Sequence, residues 1–240
     1  MRHLTYRSVG IIRMIIMDKK LPTARIRDSE KTVAALKRAA IDQLISNGFA
    51  GLSIAPLLKK AGVSRGALFH HFASKDALVV AAFEDVLAEF AICLTRISQR
   101  LRSGEIGLEE FVTETSAAFA SDLFIATMEM SLGMRVEEFL SEAAQDAIVV
   151  WRENLLRFWT DTFDLPALSQ AEQETHWAIA SNTLRGYGFT NSFGHQEVAT
   201  RHMRQGFAQF FLTGAVIKPA ITPDISALQG KKTTNSGEDQ

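Results

Sequence analysis

The sequence predicts an all-α chain, with an N-terminal three-helix unit that ends in a helix-turn-helix and is joined by one long helix to a larger helical domain. Three observations predict it. Apolar residues recur every three or four positions from about residue 29 to 212, the spacing that gathers them on one face of a helix. No stretch alternates apolar and polar residues for long enough to build a sheet. Between Ser53 and Lys75, a helix, a glycine turn and a second short helix follow one another with boundary residues in place.

The first helix is expected over about 29–46, with Val33, Leu36, Ala40 and Leu44 on one face, Asp28 or Ser29 as its cap and Gly48 as its stop. Ser53 caps the second, over about 53–61. Its Pro56 sits in the first turn, where a missing N–H is harmless, and Gly62 follows the run Ile54, Leu57, Leu58 and Ala61. Ser64 caps the third, over about 65–71, in which Leu68 and Phe72 share a face and Val63 is placed as a staple. Its other face carries Arg65, Gly66, Ala67, Phe69, His70 and His71. Ser74 caps a fourth helix from Lys75, whose stripe Val79, Phe83, Val86, Phe90, Leu94, Ile97 and Leu101 runs to about Arg102 before Ser103-Gly104. That is roughly 40 Å, enough to bridge two domains.

Shorter helices are expected over 108–120 and 123–132, a long or broken one over 136–163, a break at Leu165-Pro166, and two more over 170 to 186 or 189 and over 196–212. The chain then divides into an extension over 1–17, a helix-turn-helix domain over 18–74, a second helical domain over 75–214 and a flexible tail over 215–240. The apolar run in residues 10–17 is short, is interrupted by Arg13 and lacks a small-residue cleavage site, so it reads as neither a signal peptide nor a membrane span. The expectation is a non-native or disordered extension, with translation starting at Met17 or Met14.

A hydrophobic content of 47% is ample for a buried core. The single cysteine, Cys93, cannot make an internal disulfide and reads as a small core residue; with no Cys/His cluster at zinc-finger spacing, the chain fits a reducing, cytoplasmic compartment. The net charge of −1 hides an asymmetry: residues 18–80 hold 11 Lys/Arg against 5 Asp/Glu, giving +6, whereas residues 81–240 hold 12 against 22, giving −10. The basic part coincides with the helix-turn-helix. Pairs such as Lys37-Arg38 and Lys59-Lys60 read singly as solvated faces, but beside that motif the excess points to a polyanion partner, double-stranded DNA.

From about Asp28 the chain resembles the N-terminal domain of the TetR family of bacterial transcriptional regulators. The resemblance rests on Ala39-Ala40, Asn47-Gly48-Phe49, Leu52-Ser53-Ile54, residues 61–69, His71-Phe72 and residues 74–78, and covers roughly the first third of the chain. It implies a regulator, typically a repressor, that binds a palindromic operator as a homodimer and is released by a small-molecule effector. The final two long helices, about 172–189 and 196–212, would form the dimer interface. Their stripes are Trp177, Leu184 and Tyr187, and Met203, Phe207, Phe210, Phe211 and Gly214, with Gly186, Gly188 and Gly206 allowing close approach.

At the DNA face Arg65 is the expected base reader, its fork matching guanine O6 and N7, with a phosphate contact as the alternative. Gly66 and Ala67 let the helix sit deep, and His70 and His71 occupy positions where family members touch phosphate or base edges. Ser53, Ser64 and Lys75 lie at helix starts suited to phosphate, and Arg25 and Arg27 precede the first helix as a basic arm. Phe69 departs from the family's usual Tyr and so lacks the hydroxyl that bonds a phosphate.

The second domain is rich in aromatic and Met residues, which at helical spacing read first as core. The resemblance makes Phe111, Phe124, Met128, Trp151, Phe158 and Trp177 candidates for an effector pocket suited to an apolar or aromatic ligand, with Glu129, Arg135 and Arg152 as polar partners or plain surface. No cofactor or metal is implied. The competing readings are an all-helical enzyme, for which no nucleophile elbow, phosphate loop or His-Glu-x-x-His helix is found, and an effector-independent DNA-binding protein.

Overall fold

The computed structural model describes residues 24–135, 138–194 and 197–220, and the extension and most of the tail lie outside them. Within these residues the chain forms α1 (Ala24–Asn47), a short 3-10 turn (Phe49–Gly51), α2 (Ile54–Ala61), α3 (Arg65–His71), α4 (Lys75–Arg102), α5 (Leu108–Phe119), α6 (Asp122–Met134), α7 (Glu138–Thr162), α8 (Gln170–Asn191) and α9 (Glu197–Phe211).

The first helix starts earlier than the sequence suggested, at Ala24 rather than near residue 29. Nothing after Pro22 opposes a helix, and the Thr32 hydroxyl donates to the Asp28 carbonyl one turn below, so Asp28 lies inside the helix and does not cap it. Gly48 ends α1 with φ 67°, a left-handed conformation that suits glycine. Gly62 does the same for α2 at φ 68°. Ser64 and Ser74 cap α3 and α4 by accepting from the Ala67 and Ala77 amides, each at 3.1 Å.

Every residue of the expected α4 stripe is buried. The helix is the spine: its N-terminal half packs on α1 and its length lies along α5, α6 and α7. The core of the second domain is aromatic. Trp159 stacks on Trp177 with ring centres 5.2 Å apart and planes 5° from parallel, and its indole N–H donates to Ser181 Oγ at 2.8 Å. Phe111 packs against Phe158 and Phe163, while Phe90, Phe119 and Phe124 form a second cluster. Gly188 permits the tightest approach, since a Cβ there would fall 1.9 Å from the Phe119 carbonyl oxygen at the end of α5.

One small sheet escaped the sequence. β1 (Phe163–Asp164) pairs antiparallel with β2 (Val216–Ile217), Phe163 opposite Ile217; two-residue strands are too short to show a period. Residues 216–219 are therefore not part of a loose tail. Lys218 donates its amide to the Thr162 carbonyl and its ammonium to the Thr160 carbonyl, and Arg102 donates to the Lys218 and Pro219 carbonyls.

The three-helix head also touches the second domain away from α4. Phe49 lies in a notch at Gly133 on α6, where a Cβ would come within 2.3 Å of the ring, and the Glu129 carboxylate lies against Gly48. Lys37 pairs with Asp85 at 2.7 Å and Arg38 with Glu89 at 3.6 Å, tying α1 to α4.

Candidate nucleic-acid interface

The α2–turn–α3 unit is anchored from within. Leu57 and Leu68 are about 1% exposed and Phe72 is buried beside them, while Gln43 on α1 accepts the Ser53 amide at 3.2 Å. That anchoring leaves Arg65, Gly66, Phe69 and His70 exposed on α3, with Ala67 and His71 half-buried. Seven of the expected contact residues, Ser64 to Ala67 and Phe69 to His71, thus share one short helix and its cap. The Ser64 oxygen is engaged as the cap acceptor, but its hydroxyl proton remains available to an acceptor outside the domain.

Phe69 has a use that the sequence did not reveal. The Arg65 guanidinium carbon stands 5.6 Å from the centre of its ring, within cation–π range. Phe69 lacks the phosphate-bonding hydroxyl of the family's usual Tyr, yet it offers a flat surface that orders the arginine. His70 and His71 meet edge to face, 5.0 Å between ring centres.

Ser53 is exposed at the start of α2 and its hydroxyl makes no capping bond. Lys75 is half-buried, and its ammonium donates to the Leu52 carbonyl at 2.8 Å. It is therefore a structural tie between α4 and the segment entering α2, with two of its three N–H donors left over. Arg25 and Arg27 fall within α1 instead of on an arm preceding it, and their side chains lie outside the described residues.

Among the described residues, part of the basic excess of the head is taken up by ion pairs. Lys37 and Arg38 pair with carboxylates of α4, and Lys60 pairs with Asp42 at 3.0 Å. Lys59 and Arg65 form no salt bridge among the described residues, and both are exposed. Lys59 was indistinguishable from Lys60 in sequence; only the placement of Asp42 opposite Lys60 separates them.

The effector candidates separate into two groups. Phe111, Phe124 and Trp177 are fully enclosed in the aromatic core, and Met128 is half-buried against it. Trp151 and Phe158 line a groove of about 1030 Å³ between α4 and α7, together with Ile92, Leu94 and Leu155. Glu129, Arg135 and Arg152 are exposed. Cys93 is half-buried against the core, and burial pushes its thiol pKa up, outweighing the opposing pull of Arg96.

The expected stripes on α8 and α9 also divide. Trp177, Leu184 and Phe207 belong to the core of one chain. The apolar residues left uncovered are Ile179, Phe189, Phe193, Val198 and Phe210, the last 75% exposed. They face away from the core; Ile179, Phe189, Val198 and Phe210 lie within the two helices expected to form the interface, but of these only Phe210 belongs to the stripes named from sequence.

Residues 36–82 match the family described as "Bacterial regulatory proteins, tetR family". An uncharacterised HTH-type transcriptional regulator of Mycobacterium tuberculosis is 31% identical over 119 residues, 50% of this chain and 61% of that protein, so the chain spans about three-fifths of that relative's length. The HTH-type transcriptional regulator CymR of Pseudomonas putida is 26% identical over 156 residues, 65% of this chain and 77% of its own. Among solved structures, a TetR-family transcriptional regulator from Mesorhizobium loti superposes with a TM-score of 0.61 at 13% identity, covering 78% of this chain and 98% of its own, which establishes a shared fold. The match falls on the residues that build the helix-turn-helix and the start of α4, and the fold likeness extends through the second domain: residues 36–82 carry the helix-turn-helix of the TetR family, and the described chain shares the fold of TetR-family regulators.

Proposed function

We propose that this chain is a DNA-binding transcriptional regulator, a repressor that holds a palindromic operator as a homodimer and leaves it when a small molecule binds the second domain. The observation that carries the reading is α3, a short helix anchored by Leu68 and Phe72 whose exposed face presents an unpaired Arg65 beside small Gly66 and Ala67. Such a helix fits the major groove, with its first residues at the base edges. Phosphate contacts would come from Ser53, Lys59, Ser64, His70 and the free donors of Lys75, with Arg25 and Arg27 reaching the backbone or minor groove.

Dimerisation through α8 and α9 is supported by the exposed Ile179, Phe189, Val198 and Phe210, an apolar set that water does not favour. A two-fold axis there would set two α3 helices one DNA turn apart, about 34–36 Å, and so require an inverted repeat. The groove against α4 supports effector control, because α4 is continuous from Ser98 and Leu94 at the groove to Lys75 at the head. A structural relative, the multidrug binding protein EbrR, has been solved with imidazole and with ethidium. No described helix is long and apolar enough to cross a membrane, and a cytoplasmic location accords with a DNA partner.

Footprinting on the DNA upstream of its own and neighbouring genes tests the reading. Protection of an inverted repeat is expected, and absence of any preferred site would refute it.

A further inference from the structure

Among the described residues of the second domain, Arg185 is a half-buried cation that forms no salt bridge. Arg185 on α8 lays its guanidinium carbon 4.4 Å from the centre of the Trp151 ring on α7. Its Nη1 donates to Asn182 Oδ1 at 3.1 Å, but its Nε is enclosed without a hydrogen-bond partner, and no described carboxylate forms a salt bridge with it. Trp151 is 6% exposed, and its indole N–H is likewise enclosed and unpaired. Burial, and after it the neighbouring Arg152, push the Arg185 pKa down from its usual range, so the cation is both desolvated and repelled. Two enclosed donors without acceptors, one of them cationic, are an arrangement that native folds seldom leave unfilled.

We infer that Arg185 and Trp151 form the recognition site for the carboxylate head of a small organic acid that acts on the second domain. This inference rests on the effector-responsive reading and refines it, since the sequence suggested an apolar or aromatic ligand with Glu129, Arg135 or Arg152 as its polar partners and did not single out Arg185. A carboxylate is the planar anion that a guanidinium fork matches, and its second oxygen has further acceptor sites for the indole N–H. Trp151 links the head to the nearest apolar space, since it contacts Arg185 and is also a wall of the α4–α7 groove with Leu155, Phe158 and Ile92, which Arg185 itself does not line. A carboxylate from a second copy is the competing source, because Arg185 stands one turn before the exposed Phe189 on α8, and the test separates the two; the half-buried guanidinium leans onto Trp151 of α7.

The test uses benzoate as probe and uncharged benzamide as its control, followed by tryptophan fluorescence and thermal shift on the full chain. Acetate and octanoate extend the series. Saturable binding of at least one carboxylate is expected below about 10 mM, with benzamide far weaker. Arg185→Gln should weaken binding at least about tenfold, and Trp151→Phe, which keeps the ring and loses the N–H, by a smaller factor. Arg185→Lys, retaining the charge without the fork, should fall between them and guards against a folding defect in Arg185→Gln. Equal binding of benzoate and benzamide, no saturation by any of the three acids, or an unchanged Arg185→Gln would overturn the inference. So would an Arg185→Gln that shifts the monomer–dimer balance and leaves benzoate binding intact, since the anion would then be a partner's. Operator binding is measured separately: carboxylate binding at Arg185 with no DNA binding at all would sink the regulator reading alone, and carboxylate binding that leaves operator occupancy unchanged would sink the effector role of the site.

Discussion

Replacing Lys75 by Met separates two roles that the geometry assigns to one side chain. The ammonium donates to the Leu52 carbonyl at 2.8 Å, and Leu52 is buried, so the substitution leaves a desolvated acceptor unpaired while keeping the alkyl stem. A hydrogen bond from a charged donor contributes about 1.5–3 kcal/mol. In a chain of this size each kcal/mol moves the melting temperature by roughly 2–4 °C, giving a fall of about 3–12 °C. Two donors of the ammonium remain at the start of α4, where a phosphate contact is also expected. Lys75→Met should therefore weaken operator and random DNA alike and reduce the slope of log affinity against log salt by about one unit. Thermal melts followed by circular dichroism, and anisotropy titrations over a salt series, read the two effects independently. An unchanged melting temperature would refute the structural tie; an unchanged salt slope would refute the phosphate contact.

Other expectations follow from the same geometry. Arg65→Ala should cost about 1–3 kcal/mol on the operator and relax preference at one base position, and equal losses on specific and random DNA would remove its role as a base reader. Gly188→Ala should destabilise by about 1–3 kcal/mol or more, because the added methyl meets the Phe119 carbonyl oxygen at 1.9 Å, whereas Gly186→Ala on the same helix meets nothing within 4 Å and should stabilise the single chain by about 0.5–1 kcal/mol. Urea melts at low protein concentration distinguish these, and a shared sign would contradict the packing. Glu172 is held below its ordinary value of 4.5 by hydrogen bonds from the Ser169 hydroxyl and then the Ser169 amide, the reciprocal cap of α8. With the folded value depressed, this cap is complete above the ordinary carboxylate range and is lost as pH falls through the lower folded value. Ser169→Ala should return the Glu172 midpoint toward 4.5 in a carboxyl NMR titration; a midpoint that stays low would show another cause.

The helix-turn-helix was legible because its signals are local. Ser64, Gly62 and Ser74 act within a few residues of themselves, and each stands where the sequence placed it. What depends on distant partners was not legible. Lys37, Arg38 and Lys60 read singly as solvated faces and together as part of a basic excess, and only α4 and Asp42 set against them show them to be ion-paired. Trp177 and Leu184 follow helical spacing equally well for a core and for an interface, and only the placement of α7 assigns them to the core. Arg185 carries no motif, and its position becomes evident once Trp151 lies against it and no described carboxylate pairs with it.

The notch at Gly133 bears on how the head can move. With α4 rooted in the second domain, α1 packed on both α4 and α6, and Phe49 seated in the α6 notch, the head is held along a broad seam. Turning the head on that seam must carry α6 along or pull the Phe49 ring out of its notch. Motion of α6 and orientation of α3 are thereby geared together, and the size of residue 133 sets the backlash between them.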